Sequence, residues 1–193
     1  MAELRVDVFD DAAAAAAAAA AFVAERARAA AADHGSCTFA VSGGHTPWAM
    51  FATLRDEDMP WSSTRIFQVD ERVAPAGDPD RNLTHLLEDL RDDRTAGVTV
   101  HAMPVEDPDL EAAAARYAAD LPPHFDLIHL GLGPDGHTAS LVPGDPVLEV
   151  RDRSVALTGD YQGRRRMTLT YPVLDAAHQI LWLVAGADKA DAL

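Results

Sequence analysis

Cysteine is almost absent: Cys37 is the one thiol in 193 residues, so no disulfide can close within the chain and no paired-cysteine zinc spacing exists. A lone thiol suits a reducing cytoplasm. Basic residues are scarce too. The 16 Lys and Arg face 31 Asp and Glu, for a formal net charge of −15, which repels nucleic-acid phosphates and anionic lipid headgroups. Aromatics make up 6%, and the hydrophobic fraction of 48% is inflated by alanine, so the residues that build cores are fewer than it suggests. They cluster in short runs, as sheet strands do. No apolar run approaches membrane-spanning length, because the alanine tract at 12–21 is short, weakly hydrophobic and flanked by acids. The first ten residues lack a basic region followed by an apolar core and do not read as a secretory signal. GxSxG and HExxH are missing as well, leaving serine-hydrolase and zinc-enzyme readings without local support. What these absences leave is a cytoplasmic protein with a small-molecule partner, no nucleic acid and no membrane. They leave the oligomeric state open, with a monomer as the working assumption.

The length suits one domain spanning residues 1–193 with a core of its own. Leu4 to Phe9 alternates with period two, as a strand does. Asp10 or Asp11 then caps a helix through the alanines to about Ala32, and His34-Gly35 ends it. Further strands are expected at 37–41, 66–69, 98–101, 125–130, 155–157, 167–170 and 179–184, with helices at 47–54, 82–90 and 110–121. Strands alternating with helices imply an α/β fold, a largely parallel sheet covered on both faces.

Several motifs follow strands and should converge on one sheet edge, where open α/β sheets bind ligands. Ser42-Gly43-Gly44-His45-Thr46-Pro47 combines a glycine turn with a helix that Thr46 can cap and Pro47 can open. Amides and hydroxyls at such a turn suit a phosphate. Asp70-Glu71-Arg72 stands where the 66–69 strand leaves the sheet; a solvated turn is the plain alternative there, and the company of the other strand-following motifs weighs against it. Gly131 to Leu141 (GLGPDGHTASL) sets Asp135 and His137 on either side of Gly136, a carboxylate beside a titratable imidazole and hence an acid/base candidate. This stretch also satisfies GxGxxG, but Pro134 and Asp135 fill the spacer and Pro143 cuts short any helix, so a dinucleotide site is not expected. Arg164-Arg165-Arg166 stands out in so acidic a chain, with Arg166 the better anion candidate, and Lys189 opens a helix after Gly186. The remaining histidines, His85, His101, His124 and His178 among them, read as surface or core residues.

Taken together, SGGHTP at 42–47, DER at 70–72, Asn82, GLGPDGHTASL at 131–141, RMTLTYPVL at 166–174 and GADKA at 186–190 resemble the 6-phosphogluconolactonase branch of the glucosamine-6-phosphate isomerase/6-phosphogluconolactonase family. The resemblance implies a modified doubly wound α/β sheet shared with the deaminases. It also implies hydrolysis of 6-phospho-D-glucono-1,5-lactone in the oxidative pentose phosphate pathway, without a metal or organic cofactor. On that basis Ser42, Gly43, Gly44 and Thr46 would hold the phosphate with Arg166 and Lys189, and His137 would activate water. Asp135 and Asp70 would orient His137 or the sugar hydroxyls, and Arg72 would lie near the lactone carbonyl. The deaminase motif carries a glutamate where this chain has Val142, and valine transfers no proton. A sugar-phosphate binder without turnover is the non-enzymatic alternative, which the retained Asp135, His137 and Arg72 disfavour. The chain departs from the lactonase pattern at Val142 and at Arg81, both expected to retune a pocket wall. It also ends at Leu193, where the family pattern continues with a strand and a helix.

Overall fold

Alanine's helix propensity decides the first element. In the computed structural model, which describes residues 4–193, α1 (Ala12–His34) starts at Asp11, whose side chain accepts from the Ala14 amide. It ends at Gly35, in the left-handed region at φ 88°. Ala16, Ala19, Ala20, Val23, Ala24 and Ala27 form its buried stripe at helical spacing. Small side chains along that stripe let the helix lie close on the elements beneath.

The remaining helices are α2 (His45–Leu54), α3 (Asn82–Asp89), α4 (Leu110–Asp120) and α5 (Tyr171–Asp175). The strands are β1 (Cys37–Val41), β2 (Thr64–Gln68), β3 (Asp70–Arg72), β4 (Thr99–His101), β5 (Leu127–Leu130), β6 (Val155–Leu157), β7 (Arg166–Leu169) and β8 (Ile180–Trp182). Five strands form a parallel sheet in the order β4-β2-β1-β5-β8. The chain runs outward from β1 through β2 to β4, then crosses to β5 on the other side. That reversal opens a crevice between the carboxyl ends of β1 and β5.

Alternate residues of the central strands feed two cores. Phe39, Val41, Ile66 and Leu127 pack under α1 and α2, whereas Ala40, Phe67, Ile128 and Leu130 pack with α4 and the second sheet. The doubly covered α/β sheet is therefore as expected. No helix among the described residues is long and apolar enough to cross a membrane.

Two expectations fail, and one motif lies in an element that the sequence pattern did not disclose. Residues 4–9 form no strand, and Leu4, Val6 and Val8 are exposed at 83%, 72% and 89%. Alternation marks two faces, but a strand also needs a neighbour for its backbone groups. Asp70-Glu71-Arg72 is no solvated turn: it is β3, antiparallel to β7, in a second sheet of order β3-β7-β6 that periodicity did not disclose. Finally, α2 begins before Thr46, with Gly44 at the cap position and φ 123°, so neither Thr46 nor any other side chain caps it.

Candidate active site

Three loops and strand β3 meet above the carboxyl ends of the parallel strands and line an open cavity of about 430 Å³. The turn after β1 delivers Ser42 to Thr46, β3 delivers Asp70 and Arg72, the turn after β5 delivers Gly131 to Pro134 and His137 to Ala139, and the segment after β8 delivers Leu183 to Ala185, Asp188 and Lys189. Of the residues singled out in the sequence, Ser42, Gly43, Gly44, Thr46, Asp70, Arg72, His137, Arg166 and Lys189 all line it. Asp135 does not reach the cavity and stands behind His137. Arg81 and Val142 do not line it either, so they retune no wall. Arg81 instead points into the protein, pairing with Glu71 and Glu106.

At the turn after β1, the first N–H groups of α2 have no carbonyl within the helix to bond and no side-chain cap. They are available to an anion. The Ser42 hydroxyl donates back to the His129 carbonyl at 3.2 Å, which fixes the turn against β5. A side chain at Gly43 would collide with Asn82, because its Cβ would lie 1.8 Å from Oδ1.

Arg72 and Arg166 face each other as a cross-strand pair of β3 and β7. Like charges so placed repel. Arg72 donates to the Asp80 carbonyl at 2.6 Å and to Asn82 Oδ1 at 3.1 Å, and Arg166 donates to Gln162 Oε1 at 3.2 Å. Among the described residues, their Nε groups are buried without a hydrogen-bond partner. Burial, then the neighbouring Arg72, pushes Arg166 below the ordinary guanidinium value. A buried Arg166 and a half-buried Arg72, neither paired with a carboxylate among the described residues, make the cavity complementary to negative charge. Lys189 adds a third cation, although it lies in a short 3-10 turn (Ala187–Lys189) rather than a helix and pairs with Asp188 at 2.9 Å.

The turn after β5 holds the candidate base. Asp135 Oδ1 lies 2.5 Å from His137 Nδ1 and also accepts from the His137 amide at 3.3 Å. With Nδ1–H given to the carboxylate, Nε2 remains free to accept a proton. The ring lies against Gly133, where a Cβ would come within 2.2 Å of it. Partial burial raises the Asp135 carboxyl, but hydrogen bonds from His137 and Tyr161 outweigh this and hold it at about 2.

Asp70 belongs elsewhere in the site. Ser140 donates to its Oδ2 at 2.6 Å and Asn82 Nδ2 to its Oδ1 at 3.4 Å. It is Asp135, not Asp70, that contacts His137. Glu71, fully buried, accepts from Gln68 Nε2, Arg81 Nε and the amides of Arg72, Asn82 and Leu83. It thus ties β3 to the start of α3 and places Arg72 and Asn82. Glu71 was legible only as one letter of a charged triplet, while Ser140 and Tyr161 carried no local signal. Cys37 plays no part here: burial, then Asp126, pushes its thiol up to about 12, and a protonated thiol is inert.

The model of the glucosamine-6-phosphate isomerases/6-phosphogluconolactonase family matches residues 10–193. The chain is 38% identical over 182 residues to a 6-phosphogluconolactonase of Synechocystis sp., covering 89% of this chain and 75% of that protein. It is 35% identical over 188 residues to a 6-phosphogluconolactonase of Streptomyces coelicolor, covering 85% and 71%. Among solved structures, a 6-phosphogluconolactonase from Shewanella baltica superposes with a TM-score of 0.88 at 28% identity, over 95% of this chain and 82% of that one. The 6-phosphogluconolactonase of Trypanosoma brucei gives 0.83 at 26% identity, over 98% and 85%.

Proposed function

The chain belongs to the glucosamine-6-phosphate isomerase/6-phosphogluconolactonase family, and from that premise we propose that it hydrolyses 6-phospho-D-glucono-1,5-lactone to 6-phospho-D-gluconate with His137 as general base. One observation carries the role of His137: its Nδ1 is engaged by Asp135, leaving Nε2 to serve a cavity that also holds Arg72 and Arg166.

A lactone is an activated ester, so attack needs a positioned water, a base and positive charge for the developing oxyanion. The substrate phosphate rests on Ser42, Gly43, Gly44 and Thr46, with Arg166 and Lys189 supplying charge. His137 Nε2 takes a proton from water as the water oxygen bonds to the lactone carbonyl carbon. Arg72 meets the negative charge on the carbonyl oxygen. Collapse breaks the bond to the ring oxygen, which takes the proton back from the imidazolium. The new carboxylic acid ionises to solvent, so atoms and charge balance, and no step calls for a metal or an organic cofactor. Asp70, held by Ser140 and Asn82, is left to accept from a sugar hydroxyl.

Val142 counts against deamination or isomerisation: it occupies the position of the deaminase glutamate and is a buried valine. The same reading makes residues 1–193 one domain of a cytoplasmic enzyme acting on a free small molecule and not on nucleic acid. Its support is the family match from residue 10 to 193 and the net charge of −15.

The test generates the lactone in situ and compares the protein and its His137→Ala variant with the spontaneous rate. The expected result is acceleration by the protein and a loss of roughly 10² to 10⁴ in kcat for the variant. Binding of 6-phosphogluconate with no acceleration would overturn the proposal in favour of a sugar-phosphate binder.

A further inference from the structure

Asp135 stands behind His137, outside the cavity lining, and its side chain is 37% exposed. A carboxylate so open to water has competing hydrogen-bond partners and free rotamers, which makes it a poor guide for an imidazole unless something holds its second oxygen. Tyr161 does so. Its hydroxyl donates to Asp135 Oδ2 at 2.8 Å, on the opposite side of the carboxylate from His137. The same ring lies edge-on to the His137 ring, with centroids 5.3 Å apart, and carries the Arg166 guanidinium 4.9 Å above its centre. One side chain therefore touches the proposed base, the partner of that base and a cation of the anion site.

The backbone around Tyr161 is built to keep it there. Gln162 and Gly163 both have positive φ, 54° and 78°, and Tyr161 and Arg164 exchange backbone hydrogen bonds of 3.0 and 3.3 Å across them. Two successive residues at positive φ make the tight turn whose twist matches a two-stranded ribbon, here the one joining β6 to β7. Non-glycine residues seldom adopt such a φ, and Gln162 does so while its side chain accepts from Arg166. Arg164 pins the far side of the tip to Asp78 at 3.3 Å and Asp80 at 2.7 Å, in the loop whose carbonyl holds Arg72. The tip is thus fastened to both halves of the site.

We propose that Tyr161 is a positioning residue for hydrolysis, locking the Asp135 carboxylate so that the His137 ring stays aligned with the attacking water. This rests on the reading of His137 as base. Tyr161 reaches no reacting atom itself, and its effect passes through Asp135. Removing the hydroxyl while keeping the ring should leave substrate binding intact and slow the chemical step.

The experiment measures kcat and KM for Tyr161→Phe, Asp135→Asn, the double variant and His137→Ala, each corrected for spontaneous hydrolysis. Tyr161→Phe should lower kcat about tenfold, the scale of one hydrogen bond to a charged group, with KM unchanged within about twofold. In the Asp135→Asn background the same substitution should change kcat by less than about twofold, since the two groups act as a unit. A Tyr161→Phe variant with undiminished kcat overturns the inference, as does a tenfold loss that persists in full beside Asp135→Asn. His137→Ala separates this failure from that of the underlying reading. If His137→Ala retains its kcat, the base assignment falls and takes the inference with it. If it abolishes turnover while Tyr161→Phe stays fully active, Tyr161 alone is wrongly placed.

Discussion

Asp135 and His137 show how neighbours in sequence acquire unequal roles. The same short turn sends the imidazole into the cavity and leaves the carboxylate outside its lining, bonded to the ring from behind. That bond has a consequence for stability. The Asp135 carboxyl is held at about 2 in the folded protein, against roughly 3.9 for a free aspartate, so the folded state prefers its ionised form. The stabilisation is complete above the unfolded value and drains away as pH falls through about 4 towards 2, where the unfolded chain takes up the proton first. Partial solvent exposure keeps the amplitude small. Urea unfolding should therefore show a stability gap between the protein and its Asp135→Asn variant that is flat above pH ~5 and shrinks steadily below it. A gap of constant size from pH 6 to pH 3 would contradict the ionic contribution of this pair.

Among the elements, β3 has the largest effect for its size. Three residues place Asp70 and Arg72 in the site, and the central one, Glu71, gathers the start of α3 and the buried Arg81 onto a single carboxylate. Arg81, a departure from the family pattern, is thereby explained: its guanidinium bridges Glu71 to Glu106. Neutralising the hub leaves Arg81 buried beside one half-exposed acid and weakens the hold on the amides that follow. Glu71→Gln should destabilise the protein by about 3 kcal/mol in urea unfolding, the low end for breaking a buried ion pair. It should also raise KM as Arg72 and Asn82 lose their common anchor. Wild-type stability in this variant would mean that the amide bonds alone hold the loop. The contrast with α1 is instructive. That helix was legible almost to the residue, because alanine propensity, an aspartate cap and a glycine stop are all local.

At the scale of the whole molecule, a net charge of −15 surrounds a cavity lined with cations. An anionic substrate is repelled at long range and captured at short range, and salt screens the first effect far more than the second. Asp33, Asp93 and Asp120 are exposed, stand ahead of β1, β4 and β5 in the chain, and do not line the cavity. Replacing these three with Asn should raise kcat/KM by about twofold at low ionic strength, and the difference should vanish at about 0.3 M salt, where screening is shorter than the span of the protein. An advantage that survives high salt would point to a local change at the site instead. The sequence alone determined what depends on near neighbours: the alternation of strands and helices, the glycine turn at Ser42 to Thr46, the Asp135/His137 pair, and through these motifs the family. The tertiary structure decided what depends on partners far along the chain. Antiparallel pairing of Asp70 with Thr168 and of Arg72 with Arg166 converts an apparent surface turn into a buried strand and sets two cations face to face. It also brings Ser140 to Asp70, Arg81 to Glu71 and Tyr161 to Asp135. Local periodicity records which face a residue must bury, whereas the contacts that complete this site are made by loops whose positions only the packed sheets define.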